Sequence, residues 1–257
     1  MIEELEITLK ELNRVAIAFS GGIDSAFLLF VANKVLGKDN VLALIVNGQM
    51  LSKSDYVEAI NYLEENDFNY REISYDCLKI LQFRENHKDR CYYCKKIIMS
   101  KIKETAAENG FEYVLDGKNA DDTGVYRPGN KAAEELRIIS PLEQTGFTKK
   151  DIRNKSKELG IKLWNKPSNS CLATRFPYNT ILTDEALKKV EAAERLIKSL
   201  GINKTRVRVH GDIARIEVEK EYFDVILENK EIIENIKTMG FKFVTLDLSG
   251  LKSGSFD

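Results

Sequence analysis

The stretch RVAIAFSGGIDS, Arg14 to Ser25, decides the fold. A short apolar run, Arg14–Phe19, ends at Ser20-Gly21-Gly22 and leads into a segment from Asp24 to about Leu36 that reads as helix. Glycines let a backbone approach a ligand closely, and the unpaired amides at a helix start bind anions. Ser20 and Ser25 add hydroxyl donors. Neither GxxxxGK[ST] nor GxGxxG is present, so this is not one of the commoner nucleotide loops. A plain connector is the bland reading; the strand before it and the helix after it favour an anion cradle.

Working outward, Val41–Val46 (VLALIV) is a second apolar run without alternation, as in a strand covered on both faces. Ser54 then reads as an N-cap, with Val57, Ile60 and Leu63 at helical spacing. Tyr70–Ser74 is a weaker third strand. A helix from about Tyr92 to Asn109 carries Ile98, Ile102 and Ala106 on one face and stops at Gly110. Tyr113–Asp116 is a fourth strand, ending in Gly117. This rhythm predicts an α/β fold with a doubly wound parallel sheet. Ligands on such sheets bind beyond the carboxyl ends of the strands, where the noteworthy residues fall.

Thr148 and Asp151 read as a capping box opening a helix to Leu159. Residues Trp164–Thr180 look irregular, and a domain boundary is placed near 180, giving domains 1–180 and 181–257. The second reads as a small α+β unit. It has a helix from Asp184 to Leu200, a hairpin (Thr205–Val209, Ala214–Val218) turning at Gly211-Asp212, a helix over about Tyr222–Met239 and a strand Lys242–Leu248.

The chain has 257 residues, enough to bury a core without staples. Its 39 basic and 40 acidic residues leave a formal charge of -1, which argues against a general nucleic-acid or membrane-surface binder. The apolar run Ala26–Ala32 is too short to span a bilayer, and the acidic Met1–Glu6 does not resemble a signal peptide. A cytoplasmic location with reduced thiols is expected, so metal binding or catalysis outranks disulfides for the four cysteines.

Gly117-Lys-Asn-Ala-Asp121-Asp122 follows the fourth strand, and carboxylates there suit Mg²⁺ bridging the phosphates of a nucleotide. Cys171 has Arg175 four residues on to favour its thiolate, with a buried structural cysteine as the alternative. Cys91 and Cys94 form a CxxC pair. Three cysteines would leave one iron of a [4Fe-4S] cluster open; structural zinc with His87, or a redox pair, are the rivals. Cys77 is isolated. Arg206 and Arg208 alternate on one strand and face one way, which suits a phosphate or a solvent-facing rim equally. Lys149, Lys150, Lys155 and Lys157 read as a solvated helix face. Trp164 reads as a packing residue and His210 as a turn residue.

SGGIDS resembles the loop of the PP-loop ATP pyrophosphatases, which cleave ATP between the α and β phosphates. Beyond it, CYYCK, DGKNADDTGVYRPGNKAAEEL, SPLEQTGFTKKDIR, NKPSNSCLATRFPY, TRVRVHGDIARIEV and FVTLDLSGLKSGS together resemble the LarE family over almost the whole chain. That family consists of sulfur transferases that help build the nickel-pincer nucleotide cofactor of lactate racemase. The resemblance implies adenylation, with ATP and Mg²⁺, of pyridinium-3,5-biscarboxylic acid mononucleotide and its conversion to thiocarboxylates. It assigns Ser20, Gly21, Gly22, Asp24 and Ser25 to ATP, with Gly117 and Asp121 beside them. Cys171 takes the sulfur role, and Arg206 and Arg208 the substrate phosphate. Glu191, Glu194 and Glu217 lie where members place acidic metal-site residues. It also implies a homo-oligomer built through the C-terminal region.

The family supplies sulfur in two ways. In one branch the cysteine matching Cys171 gives up its own sulfur. In the other, cysteines matching Cys91, Cys94 and Cys171 hold a [4Fe-4S] cluster that carries sulfide or sulfur from another donor. All three are present here, which favours the second branch. The alternatives are tRNA thiolation, amidation as by an NAD or GMP synthetase, and non-catalytic nucleotide binding.

Overall fold

The computed structural model describes residues 1–122 and 128–252. Residues 123–127 of the DGKNADDTGVYRPGNKAAEEL stretch and 253–255 of FVTLDLSGLKSGS lie outside that range. In chain order the elements are α1 (Ile2–Leu12), β1 (Val15–Phe19), α2 (Ile23–Leu36), β2 (Val41–Asn47), α3 (Lys53–Glu65), β3 (Tyr70–Ser74), α4 (Leu81–Arg84), α5 (Arg90–Glu108) and β4 (Tyr113–Leu115). They continue with α6 (Pro128–Glu135), α7 (Pro141–Gln144), α8 (Lys149–Glu158), α9 (Asp184–Lys198), β5 (Thr205–His210), β6 (Ile213–Val218), α10 (Phe223–Glu228), α11 (Lys230–Thr238) and β7 (Phe243–Leu246).

Two compact units emerge. The first comprises Met1–Gly48, Asp55–Asp76 and Cys91–Asn169. Its sheet is parallel, in the order β3-β2-β1-β4. Every residue of β1 is buried, and β2 is buried from Val41 to Val46, because helices cover both faces of the sheet. Helix α2 packs between α1 and α8 and buries Ile23, Phe27, Leu28, Leu29 and Val31, so it is apolar nearly all round. A parallel bridge from Leu115 to Ile139 extends the sheet beyond β4. The chain runs from β1 outward through β2 to β3, then returns to the other side of β1 with β4. That reversal opens a crevice at the carboxyl ends of β1 and β4, the place where open α/β sheets hold ligands.

The second unit comprises Gln49–Ser54, Cys77–Arg90 and Ser170–Asp257, described to Lys252. Its sheet has the order β5-β6-β7, antiparallel then parallel. Helix α9 lies on β5 and α11 on β7. Leu187, Val190, Ala193 and Ile197 of α9 share a core with Val207, Ala214, Ile216, Ile232 and Ile236.

Several expectations shift. The 180/181 boundary falls inside the second unit, because Arg175 is ion-paired to Glu194 of α9 and Arg208 of β5 donates to the Thr174 carbonyl. The single helix over Tyr222–Met239 is two: Asn229 breaks it and accepts the Ile232 N–H as a new N-cap. Ser54 lies within α3 rather than capping it, and the buried face of that helix is Ala59, Tyr62 and Leu63, with Val57 exposed. Helix α1, which no sequence motif announces, buries Leu5 and Leu9. The capping box at Thr148 is formed, with the Asp151 N–H donating to Thr148 Oγ1 at 3.2 Å and the Thr148 N–H to Asp151 Oδ2 at 3.1 Å.

Candidate active site

The loop after β1 is built by exclusion of side chains. Gly21 has φ +70°, and a Cβ there would stand 2.6 Å from the Ala59 Cβ of α3. Ser25 Oγ turns back to donate to the Gly22 carbonyl at 3.0 Å and accepts the Ser20 N–H at 3.3 Å. Gly22 caps α2 with an extended backbone and no side-chain acceptor, which leaves the first amides of the helix for an incoming anion.

Across the crevice, Gly117 follows β4 so tightly that a Cβ would lie 2.8 Å from the Ser25 nitrogen and 3.1 Å from the Asp24 carbonyl carbon. The two motifs, 92 positions apart by number (117 − 25), are therefore one site. Asp24 Oδ1 is buried without a hydrogen-bond partner, while Oδ2 lies 3.5 Å from Lys149 Nζ. Burial pushes the Asp24 carboxyl above its ordinary range, Lys149 draws it down, and Asp122 adds a further upward push. An orphaned carboxylate oxygen, with the negative charge of Asp122 near enough to act on it, suits a hard divalent cation, so these residues fit Mg²⁺. Asp121 serves differently: its Oδ2 accepts the Lys149 N–H at 2.8 Å and so fixes the start of α8. Lys149, expected on a solvated face, is thus part of the site. It stands at the first position of α8, and only the tertiary fold brings it to Asp24.

The CxxC pair sits in the first turn of α5, Cys91 exposed and Cys94 partly so, at i and i+3 on one face. The next residue, Lys95, pairs with Asp116 Oδ2 at 3.2 Å, and Ser140 Oγ donates to Oδ1 of the same carboxylate at 2.7 Å. Asp116 immediately precedes Gly117. Both thiols therefore stand at the same end of the first unit's sheet as the nucleotide crevice. Two adjacent thiols fit as soft ligands for iron or zinc. Among the described residues, however, no three His, Cys, Asp or Glu side chains are gathered closely enough to hold a metal. His87 Nδ1 lies 3.2 Å from Asp89 instead.

In the second unit Cys171, half-buried, opens a short 3-10 turn, Leu172–Arg175. Arg175 does not serve as a loose cation for the thiolate. Its Nη1 donates to Ser170 Oγ at 2.7 Å, to Thr174 Oγ1 at 2.9 Å and to the Cys171 carbonyl at 3.4 Å, and Glu194 takes its charge. Arg206 and Arg208 do share a face of β5. Arg206 is half-buried, with Nη1 donating to the Lys252 carbonyl at 3.0 Å. Arg208 is buried and paired with Glu217 at 3.1 Å, so it is not exposed as a phosphate donor. Two of the acidic trio are held in buried ion pairs. Glu191 accepts the Lys53 N–H at 2.6 Å, while Glu194 and Glu217 are bound by guanidiniums.

The chain as a whole is similar to known proteins. A pyridinium-3,5-bisthiocarboxylic acid mononucleotide synthase from Lactiplantibacillus plantarum is 41% identical over 97% of this chain and 91% of its own length. The chain belongs to the LarE family of PP-loop proteins. The NAD synthase family profile matches residues 4–104, which span β1, α2 and the CxxC turn. More distantly, a glutamine-hydrolysing GMP synthase component from Thermoplasma acidophilum is 27% identical over 88% of the chain and 74% of its own length. An argininosuccinate synthase from Natronomonas pharaonis is 24% identical over 59% of the chain and 40% of its own length. The family likeness reaches both units, whereas the NAD synthase profile ends within α5. No helix among the described residues is long and apolar enough to cross a membrane.

Proposed function

We propose that this protein is an ATP-dependent sulfur transferase acting in the cytoplasm, which adenylates the carboxylates of pyridinium-3,5-biscarboxylic acid mononucleotide and converts them to thiocarboxylates. The observation that carries the reading is the packing of Gly117 onto Ser25 beside the orphaned Asp24 oxygen. It supports a cradle for a triphosphate and its cation in a chain 41% identical to a synthase of that name.

In the first step a substrate carboxylate oxygen attacks the α-phosphorus, and the bond to the pyrophosphate oxygen breaks. The amides of Gly22 and the α2 N-terminus, with the Ser20 hydroxyl, hold the departing charge, while Ser25 holds the loop in shape. Asp24 would hold Mg²⁺, which would neutralise phosphate charge there, and the Lys149 ammonium, 3.5 Å from Asp24, adds a second positive charge beside the phosphates. The resulting acyl-adenylate has AMP as a good leaving group, and a sulfur nucleophile displaces it at the acyl carbon. Cys91 and Cys94 would supply two thiolates to an iron-sulfur cluster, which when bound would offer an open iron to sulfide, and Cys171 takes the sulfur role in the second unit. Arg206 binds the phosphate of the substrate.

The test is an anaerobic reaction of the purified protein with ATP, Mg²⁺, sulfide and the pyridinium dicarboxylate nucleotide, read by mass spectrometry. Oxygen-to-sulfur exchange at the carboxylates is expected. Pyrophosphate release with ammonia incorporated and no sulfur would instead identify an amide-forming enzyme, the reading favoured by the likeness to the GMP synthase component.

A further inference from the structure

Two buried ion pairs in the second unit have no part in the chemistry above. Glu194 and Glu217 are 5% and 0% exposed, and among the described residues the cations they meet are arginines. Buried carboxylates are costly unless every lone pair is used, so the use made of them is informative. Glu194 Oε1 accepts Arg175 Nε at 2.7 Å and the Val207 N–H of β5 at 3.0 Å, and Oε2 accepts Arg175 Nη2 at 3.2 Å. β5 is the outer strand of its sheet, so this carboxylate also occupies a backbone donor on an unpaired edge.

The remaining face of Arg175 is turned on the cysteine turn. Nη1 meets Ser170 Oγ, the Ser170 carbonyl, Thr174 Oγ1 and, at 3.4 Å, the Cys171 carbonyl. Thr174 Oγ1 in turn donates to the Cys171 carbonyl at 2.7 Å. From the other side Arg208 donates to the Thr174 carbonyl while Glu217 Oε2 accepts its Nε at 3.1 Å. Two guanidiniums thus grip the peptide backbone on either side of Cys171, and each is oriented by a buried glutamate on α9 or β6.

We infer that Glu194 and Glu217, acting through Arg175 and Arg208, are positioning residues that fix the backbone from which the Cys171 sulfur is presented. This deepens the proposed function and rests on Cys171 having a sulfur role there. It replaces the expectation that these glutamates ligate a metal. Reactions of this kind tolerate little slack, since a displacement of about 1 Å at a reacting group costs on the order of a hundredfold in rate.

The experiment uses the full chain with Glu194→Gln and Glu217→Gln, and with Arg175→Lys, which keeps the charge but loses the planar fork. Iodoacetamide labelling of Cys171 in the cluster-free full chain at one fixed pH, followed over time by peptide mass spectrometry, reports on how the thiol is presented without any need for turnover. Glu194→Gln frees Arg175 from its anchor and loosens the turn that carries Cys171, so the labelling rate is expected to change severalfold. Sulfur transfer is expected to drop about tenfold or more in all three variants, with pyrophosphate release and the KM for ATP within about twofold of the parent. A merely structural role would lower the melting temperature and leave the labelling rate in place. Parental labelling rates and parental transfer in Glu194→Gln and Arg175→Lys would overturn the inference. Failure of the wider reading looks different: Cys171→Ala would still transfer sulfur, whatever the labelling rate of the glutamate variants.

Discussion

Replacing Gly117 by Ala is the sharpest probe of the nucleotide crevice. The backbone of Gly117 is not in the left-handed region, so alanine can adopt its conformation, and the whole penalty is steric. The added methyl would meet the Ser25 nitrogen at 2.8 Å, the Asp24 carbonyl carbon at 3.1 Å and the Ser25 Cα at 3.1 Å. All three are backbone atoms in the first turn of α2, and none can swing aside as a side-chain end would. Relief requires β4 and the α2 N-terminus to part by several tenths of an ångström. Overpacking of this kind costs about 1–3 kcal/mol of stability. The larger effect falls on activity, because the amides and Asp24 that receive the phosphates move with the helix end. A shift approaching 1 Å predicts a loss of about a hundredfold in kcat/KM for pyrophosphate release. The assay is pyrophosphate release from ATP with the pyridinium nucleotide present, alongside a thermal melt. Gly22→Ala is the control, since its Cβ would meet only Ser20 Oγ at 3.4 Å. If Gly117→Ala releases pyrophosphate as fast as the parent, the close approach of the two loops has no bearing on catalysis and the site is misassigned.

Other perturbations separate the parts. Asp24→Asn should abolish pyrophosphate release yet raise the melting temperature at pH 7. Burial lifts the folded carboxyl above the ordinary value of 3.8, so ionisation weakens the fold as pH rises through the folded value, and the gap should close below pH 3.8; a variant less stable than the parent at pH 7 contradicts this. Lys149→Ala should slow pyrophosphate release by about tenfold or more and shift the Asp24 titration further upward, measured from the pH dependence of the melt. Cys91→Ala should give a colourless protein that still releases pyrophosphate, whereas the anaerobically purified parent should be brown and carry about four irons. A colourless parent with full sulfur transfer counts against the cluster.

How much was legible beforehand follows from the range of each interaction. The runs VAIAF and VLALIV could be read as buried strands because covering both faces of a sheet demands unbroken apolar sequence. The SGGIDS turn and the Thr148 capping box were equally plain, since their geometry is settled within a few residues. Val57 misled because helical spacing does not say which way a stripe faces; the Gly21 loop packs on Ala59 instead. Lys149 looked like one of four lysines on a wet helix until the fold set it against Asp24. Arg175, four residues from Cys171, looked like a partner for a thiolate, and nothing nearby in sequence announced Glu194.

The local sequence by itself therefore determined the alternation of strand and helix, the anion-binding turn and the family, because these rest on short-range sterics and on residue types at fixed spacing. Tertiary structure alone decided which charges are spent and which remain for chemistry. Arg208 and Glu217 are nine residues apart on neighbouring strands, and Asp24 and Lys149 are far apart in the chain. An ion pair depends on distance through space and on burial, and neither is encoded in the spacing of residues along the chain.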